Sequence, residues 1–471
     1  MTLTPIAESP LWLHYLRQPD AIALQLSNVN YSYRQLSEMV ARIIAQLQQQ
    51  GLKPGDRIVC ISERQLIPLL LQLACLHLGT IFCPLNQLLR PQQLSLLVKN
   101  LDANSGYFEK SSFQCAQQVL ELDPFQGEFS LEELQVGLHC ERPLSMVHTS
   151  GSSALPKAAV HCWKNHYFSA LGSQAVIPLS KNERWLLSLP LYHIGGLAIV
   201  WRCLLAGATV VLGFHLSPLI EQLKQQSVSH ISLVPTQLYR LLTAKQFLPD
   251  RLKLKHILVG GAPCADTLLD ACVERGFSVY SSYGSTEMSS QIATRNHQSL
   301  SAGYQILPHR RVKLLDDEIL VKGACLFMGY WQNGRVIARQ DEMGWFHSGD
   351  IGQLLGNFLQ VNGRCDNMFV SGGENIQPEE IESLLYQQSE IEQAFIVAQR
   401  DAEYGQRPVL FYQSTGDITL QQVRDYLKPH LPSLKVPIAS YPLPRVEGLK
   451  HSRKNLAELA NQYSQQHLDN V

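Results

Sequence analysis

The run Thr149-Ser150-Gly151-Ser152-Ser153-Ala154-Leu155-Pro156-Lys157 gathers hydroxyls, a glycine and a closing lysine in one short stretch. It follows the apolar residues 144–147, so it hangs from a strand end, where hydroxyls, backbone amides and an ammonium form a cradle for phosphate oxygens. It is not the G-x-x-x-x-G-K-[ST] loop: Pro156 replaces the second glycine, and Ala158 stands where a magnesium-binding hydroxyl would be needed. A second run, Tyr283-Gly284-Ser285-Thr286-Glu287, comes after residues 278–280, which read as a strand. Parallel-sheet enzymes bind ligands outside the carboxyl ends of strands. There Glu287 can hold Mg²⁺ against phosphates and Tyr283 can stack on a purine. A third set, Gly344-Trp345-Phe346-His347-Ser348-Gly349-Asp350 and then Gly363-Arg364-Cys365-Asp366, offers a carboxylate for ribose hydroxyls with an arginine nearby. Taken singly, each also reads as ordinary structure: a Ser/Gly linker, a polar turn, an aspartate capping a turn beside an ion-paired arginine.

These groups need a scaffold, and the apolar pattern supplies one. Residues 57–62, 185–189, 209–212, 230–234, 254–259 and 278–280 read as strands, while 65–78 and 265–275 read as helices. Such alternation predicts βαβ units with parallel strands. After Gly303 the texture changes: 312–315 and 318–322 flank Asp316-Asp317, and 353–355 and 358–361 flank Gly356-Asn357, the pattern of two tight hairpins. Pro378 then opens a helix with Glu379 and Glu380 in its first turn. A strand at 393–398 and a helix at 420–427 follow. The fold class expected is α/β. A large N-terminal domain, 1–365, would hold two βαβ-type subdomains, about 1–140 and 141–302, and a small antiparallel β subdomain, 303–365. A mobile α+β C-terminal domain, 366–471, would complete it.

The 471 residues exceed the roughly 250–300 that one core can serve. With 39 Lys plus Arg against 40 Asp plus Glu, the net charge of −1 excludes a general nucleic-acid binder, so anions must be held locally. The first ten residues show no secretory signal, and the most apolar stretch, 66–78, is too short to span a bilayer. The 11 cysteines form no C-x-x-C pair, which predicts reduced thiols and a cytoplasmic protein. The 16 histidines contain no H-x-x-x-H pair around a glutamate, so no transition-metal site is expected.

In order and spacing, the three motifs resemble those of the adenylate-forming superfamily of acyl-coenzyme A synthetases, adenylation domains and luciferases. The likeness extends over essentially the whole chain and includes Ser371-Gly372-Gly373-Glu374-Asn375-Ile376 leading into Pro378-Glu379-Glu380-Ile381-Glu382. Within it, the nearer resemblance is to the o-succinylbenzoate–CoA ligases of menaquinone biosynthesis. That likeness rests on Lys157-Ala158-Ala159-Val160-His161, Ser188-Leu189-Pro190-Leu191-Tyr192-His193, Ser232-Leu233-Val234-Pro235-Thr236-Gln237-Leu238 and Gly448-Leu449-Lys450-His451-Ser452-Arg453.

The resemblance implies that ATP, Mg²⁺, coenzyme A and o-succinylbenzoate meet in two half-reactions through an acyl-adenylate. Lys450 would bridge carboxylate and α-phosphate, with Lys454 as the fallback. Thr149, Ser150, Gly151, Ser152, Ser153 and Lys157 would receive pyrophosphate, and Glu287 the metal. Asp350 and Arg364 would hold the ribose. Gly260, Gly261 and Ala262 would line the adenine and acyl pockets, with Ser282, Tyr283, Gly284, Ser285 and Thr286 at the nucleotide. His193, Ser289 and Ser290 would serve the acyl pocket, Asp366 the hinge, and Gly372 and Gly373 the thiol. Arg202 is put forward for the second carboxylate with no motif behind it. Two departures stand out: Ser153-Ala154 where the family has Thr-Gly, and Leu449 where it has Gly before the lysine. They leave open another aryl or fatty acid as substrate, or a nucleotide-binding regulator without catalysis; homo-oligomer formation is also open.

Overall fold

The computed structural model describes residues 5–109, 118–149, 156–213, 218–244, 246–299, 303–388, 390–444 and 451–469. Two large sheets organise its N-terminal part. The first has 13 strands among the described residues. Its centre is parallel: Ser278–Ser285, His256–Gly260, His230–Leu233, Arg184–Leu187, Thr209–Leu212 and Ile22–Leu26 lie side by side in that order. The second sheet, of eight strands, has a parallel core built on Arg57–Ile61, Ile81–Pro84, Ser105–Phe108 and Pro143–His148.

The helices answer to the same burial. Leu66–Leu78 is apolar nearly all round and buried along most of its length, as a helix wedged inside a core must be. By contrast, Tyr33–Gln49 buries one stripe, and Ser32 starts it with a capping box in which Ser32 Oγ accepts from Gln35 N and Gln35 Oε1 from Ser32 N. No helix among the described residues is long and apolar enough to cross a membrane.

The sheets do not divide at residue 140. Ile22–Leu26 and Val29–Ser32 close the edge of the first sheet, whereas Pro143–His148 and Ala158–Cys162 belong to the second. Parallel pairing with Thr209–Leu212 captures the first strand across a long chain separation, which no local pattern reveals. The two hairpins form as expected, Arg310–Leu315 with Glu318–Gly323 and Phe346–Leu355 with Phe358–Arg364. They are nevertheless continuous with the first sheet, because Tyr304–Ile306 pairs with both Ser290–Asn296 and Phe358–Arg364. Two strands of the same segment, Gly329–Gln332 and Arg335–Ile337, extend the second sheet instead. One further difference bears on the site. The strand read at 278–280 runs on to Ser285, paired antiparallel with Ser290–Asn296 and bulged between Tyr283 and Gly284.

The C-terminal unit carries its own core. Ile376, Ile381, Leu385, Ile396, Leu410, Val423 and Leu427 pack between helices Pro378–Leu385 and Leu420–Leu427 and the sheet of Ile391–Asp401, Gly405–Ser414 and Ala439–Pro442. It touches the N-terminal part where Tyr239 Oη donates to Glu392 Oε1, and where Gln377 Nε2 donates to Arg364 O at 3.2 Å.

Candidate active site

The glycine- and serine-rich run links two strands that pair antiparallel. Pro143–His148 leads in, Ala158–Cys162 leads out, and Thr149 N donates to Lys157 O at 2.9 Å. Ser150, Gly151, Ser152 and Ser153 lie outside the described residues. Lys157 is exposed, with its ammonium 5.4 Å from the ring centre of Tyr330. The Tyr330 hydroxyl donates to Glu287 Oε1 at 2.6 Å. The Glu287 backbone is pinned from two sides: its carbonyl accepts from Phe327 N at 2.7 Å, and Thr286 O is 2.7 Å from His161 Nε2. Lys157 and Glu287 are thus brought together through a tyrosine that sequence reasoning missed. Only the pairing of Gly329–Gln332 with Ala158–Cys162 reveals it.

Of the residues expected at the nucleotide, Gly260 and Ser282 stand near the carboxyl ends of two parallel strands. Gly260 stands opposite Ser282, and a Cβ on it would lie 2.5 Å from Ser282 Oγ. Gly261, at φ +85°, and Ala262 are exposed just beyond. Gly284 has no room for a side chain either, since a Cβ would sit 2.0 Å from Ser290 O. Tyr283 Oη donates to Asp350 Oδ2 at 2.6 Å, and Arg364 Nη1 donates to Asp350 Oδ1 at 2.8 Å. Asp350 is buried, and burial pushes its carboxyl pKa up against the two hydrogen bonds that favour its charge. Arg364 also clasps the expected hinge residue, with Nε 2.7 Å from Asp366 Oδ1, and that contact holds the guanidinium pKa up. Asp350, Arg364 and Asp366 therefore form one chain of charge from the expected ribose side to the expected hinge.

Near Ser289 and Ser290, expected at the acyl pocket, the fold withdraws two cations from water. Arg202, in the helix Ile194–Ala206, is 2% exposed; Nη2 donates to Gln291 Oε1 at 2.8 Å and to Ser290 Oγ at 3.2 Å. Its Nε is buried with no partner among the described residues. Arg310 donates to Gln291 O and Pro308 O, each at 2.8 Å, and to Ser169 O and Oγ, each at 3.2 Å. Neither guanidinium has a carboxylate partner among the described residues. Burial, then the charge of Arg310, pushes the Arg202 pKa down to about 9. Ser289 and Ser290 both take left-handed backbone, φ +53° and +111°, which turns Ser290 towards Arg202. Ser289 Oγ lies 2.8 Å from His166 Nδ1, and His166 Nε2 lies 2.8 Å from Ser145 Oγ. His166 and Gln291 are further residues that no sequence motif marks.

The remaining sequence-derived residues lie apart from that cluster. His193 is exposed at the N-cap of Ile194–Ala206, its ring 4.7 Å from that of Tyr192. Tyr192 borders a cavity of about 670 Å³ whose wall also includes Arg64, Ser188, Gln237 and Arg240. Gly372 and Gly373 turn the hairpin Phe369–Ser371 to Glu374–Ile376, and Gly372 N donates to Tyr404 O at 3.0 Å, within the C-terminal unit. Lys450 lies outside the described residues, but Arg453, three places on, is fixed. It forks onto Glu382 with Nη1–Oε1 and Nη2–Oε2 both 2.6 Å. Lys454 is exposed.

The sequence profile of the family described as AMP-binding enzyme matches residues 12–331. The chain belongs to this family. Among relatives of this AMP-binding enzyme, the 2-succinylbenzoate–CoA ligase of Haemophilus influenzae is 34% identical over 457 residues, spanning 95% of this chain and 97% of that one. The Escherichia coli ligase of the same name is 33% identical, with the same coverage. Among solved structures, an E. coli MenE variant with bound OSB-AMS superposes at a TM-score of 0.86 and 30% identity, covering 98% of this chain and 99% of that one. The Bacillus subtilis o-succinylbenzoate CoA synthetase in complex with the acyl-adenylate intermediate OSB-AMP gives 0.81 and 27%, covering 95% and 98%. Fold class and family thus agree with the expectation from the motifs.

Proposed function

We propose that this enzyme ligates coenzyme A to o-succinylbenzoate, with ATP consumed to AMP and pyrophosphate, in menaquinone biosynthesis. The observation that carries the substrate is Arg202: a buried guanidinium with no acid partner and an orphaned Nε suits a second, non-reacting carboxylate. A monocarboxylic acid would leave it unanswered.

In the first half-reaction a carboxylate oxygen of the acid attacks the α-phosphorus of ATP, and the bond to pyrophosphate breaks. The nucleophile is already an anion, so no general base is needed; the barrier lies in gathering negative charge. Lys450 bridges the carboxylate and the α-phosphate, and Thr149 and Lys157 with the loop between them receive pyrophosphate. Glu287 suits a divalent cation: it is half-buried, one oxygen takes the Tyr330 hydroxyl, and among the described residues no cation pairs with it. A magnesium ion bound there supplies positive charge against the phosphate oxygens. Asp350 and Arg364 position the ribose. In the second half-reaction the thiol sulfur of coenzyme A attacks the acyl carbon and AMP leaves, after the C-terminal unit has turned about Asp366 to exchange Lys450 for Gly372 and Gly373. The described cysteines are free and mostly buried, which suits a reducing cytoplasm.

The test is acid-dependent AMP release with coenzyme A across a panel of aryl and fatty acids. The proposal requires o-succinylbenzoate to give the highest kcat/KM; a monocarboxylic acid turned over better would refute it.

A further inference from the structure

The catalytic groups stand at the carboxyl ends of the parallel strands, and a different set of donors meets at the opposite ends. Glu183 immediately precedes Arg184–Leu187, His230 opens His230–Leu233, and His256 opens His256–Gly260. The three strands are neighbours; His230 is in register with both Trp185 and His256. Register partners in parallel strands point to the same face, and the two imidazoles lie with ring centres 4.4 Å apart. One ligand atom from each of Glu183, His230 and His256 lies within 4.8 Å of the other two.

Three features of this cluster go beyond packing. First, His230 Nε2 is 2.7 Å from Pro178 O, a carbonyl that only accepts, so Nε2 carries the proton and Nδ1 is the lone-pair nitrogen. Metal-binding histidines are oriented in this way, through a carbonyl on the far nitrogen. The Ser229 hydroxyl, 2.9 Å from Nδ1, has Arg184 O as a second acceptor at 3.1 Å and can turn aside. Second, His256 Nδ1 is buried with no partner among the described residues. Third, a carboxylate oxygen of Glu183 is within reach of a ring nitrogen of both histidines. Among the described residues the cation beside Glu183 is Lys255, whose ammonium is 3.9 Å away and mostly exposed, while Glu183 Oε2 accepts from Ser180 N at 2.8 Å.

We propose that Glu183, His230 and His256 form a binding site for a divalent transition metal ion of the zinc class. Two imidazole nitrogens and one carboxylate, with a position left for water, is a donor set that suits zinc and not magnesium. The spacing of histidines along the chain argued against such a site. It is missed that way because its ligands come from the starts of three strands far apart in sequence.

The full chain, stripped with chelator and free of nucleotide, is titrated with Co²⁺ and then with Zn²⁺. The site predicts uptake of one equivalent of Co²⁺ with a visible absorption band, displacement by Zn²⁺ and none by Mg²⁺. Glu183→Gln and His256→Ala should each weaken binding by more than about 100-fold, beyond the roughly 10–100-fold cost of losing an outer hydrogen-bond partner. Circular dichroism of the metal-free Glu183→Gln variant should match the parent, which keeps the comparison on metal rather than folding. Equal affinity in the parent and in Glu183→Gln would overturn the proposal, as would the absence of Co²⁺ absorption in the parent.

Discussion

Arg202 and Arg453 are both held largely away from water, in different parts of the molecule and with opposite surroundings. Arg453, at the start of the helix Arg453–Asp469, forks onto Glu382, lies 3.5 Å from Glu379 and donates to Ile396 O at 2.8 Å. Arg202 meets an amide oxygen, a hydroxyl and the ring of Trp185, but no acid among the described residues. Desolvating a cation is costly, and Glu382 offsets that cost for Arg453 at all times. No acid among the described residues does so for Arg202. On the proposed function, the difference separates a charge that fixes structure from a charge that receives substrate. The pKa directions agree: the acids beside Arg453 hold its pKa up against burial, and burial pulls that of Arg202 down.

The comparison can be broken from either side, and the structural arginine should give the largest effect. Arg453→Met strands the Glu382 carboxylate in the C-terminal core and should cost about 3–5 kcal/mol of that unit's stability, read by urea denaturation. Next in size is Lys450→Ala, which should cut pyrophosphate exchange by roughly 10²–10³-fold, as loss of one transition-state donor does. It should leave the denaturation curve and thioester formation from preformed adenylate nearly intact, because it is Arg453 that anchors this segment. Arg202→Met should lower kcat/KM for o-succinylbenzoate by at least roughly 30-fold, the about 2 kcal/mol expected when one side of a buried charge pair is truncated. Its stability should be unchanged or raised, the reverse of Arg453→Met. Smallest is Tyr330→Phe, which keeps the ring under Lys157 but removes the donor to Glu287. A loss of about fivefold in adenylation, near 1 kcal/mol, should appear in the dependence on magnesium concentration.

Legibility in the sequence followed the range of the interactions. The helix Leu420–Leu427 and the strand Thr209–Leu212 were readable to the residue, because apolar period and flanking turns act locally. The hairpins announced themselves through Asp316-Asp317 and Gly356-Asn357. The motifs marked the nucleotide side for the same reason: each is a short string. What stayed hidden was assembled across sheets. Tyr330 reaches Glu287 by strand pairing, Gln291 and His166 reach the acyl side from separate elements, and strand 22–26 joins a sheet made mostly of residues beyond 180. Arg202 was nameable only as a cation on an apolar helix; its lack of an acid partner is a property of the packed structure.

That lack is the centre of the account, and a two-by-two comparison tests it most directly. Parent and Arg202→Met are each assayed for acid-dependent AMP release, first with o-succinylbenzoate and then with an analogue in which the carboxylate that is not adenylated is replaced by methyl. If Arg202 receives the non-reacting carboxylate, removing both partners costs little more than removing either, a coupling of about 2 kcal/mol or roughly 30-fold. Penalties that simply multiply, with no coupling, would contradict it.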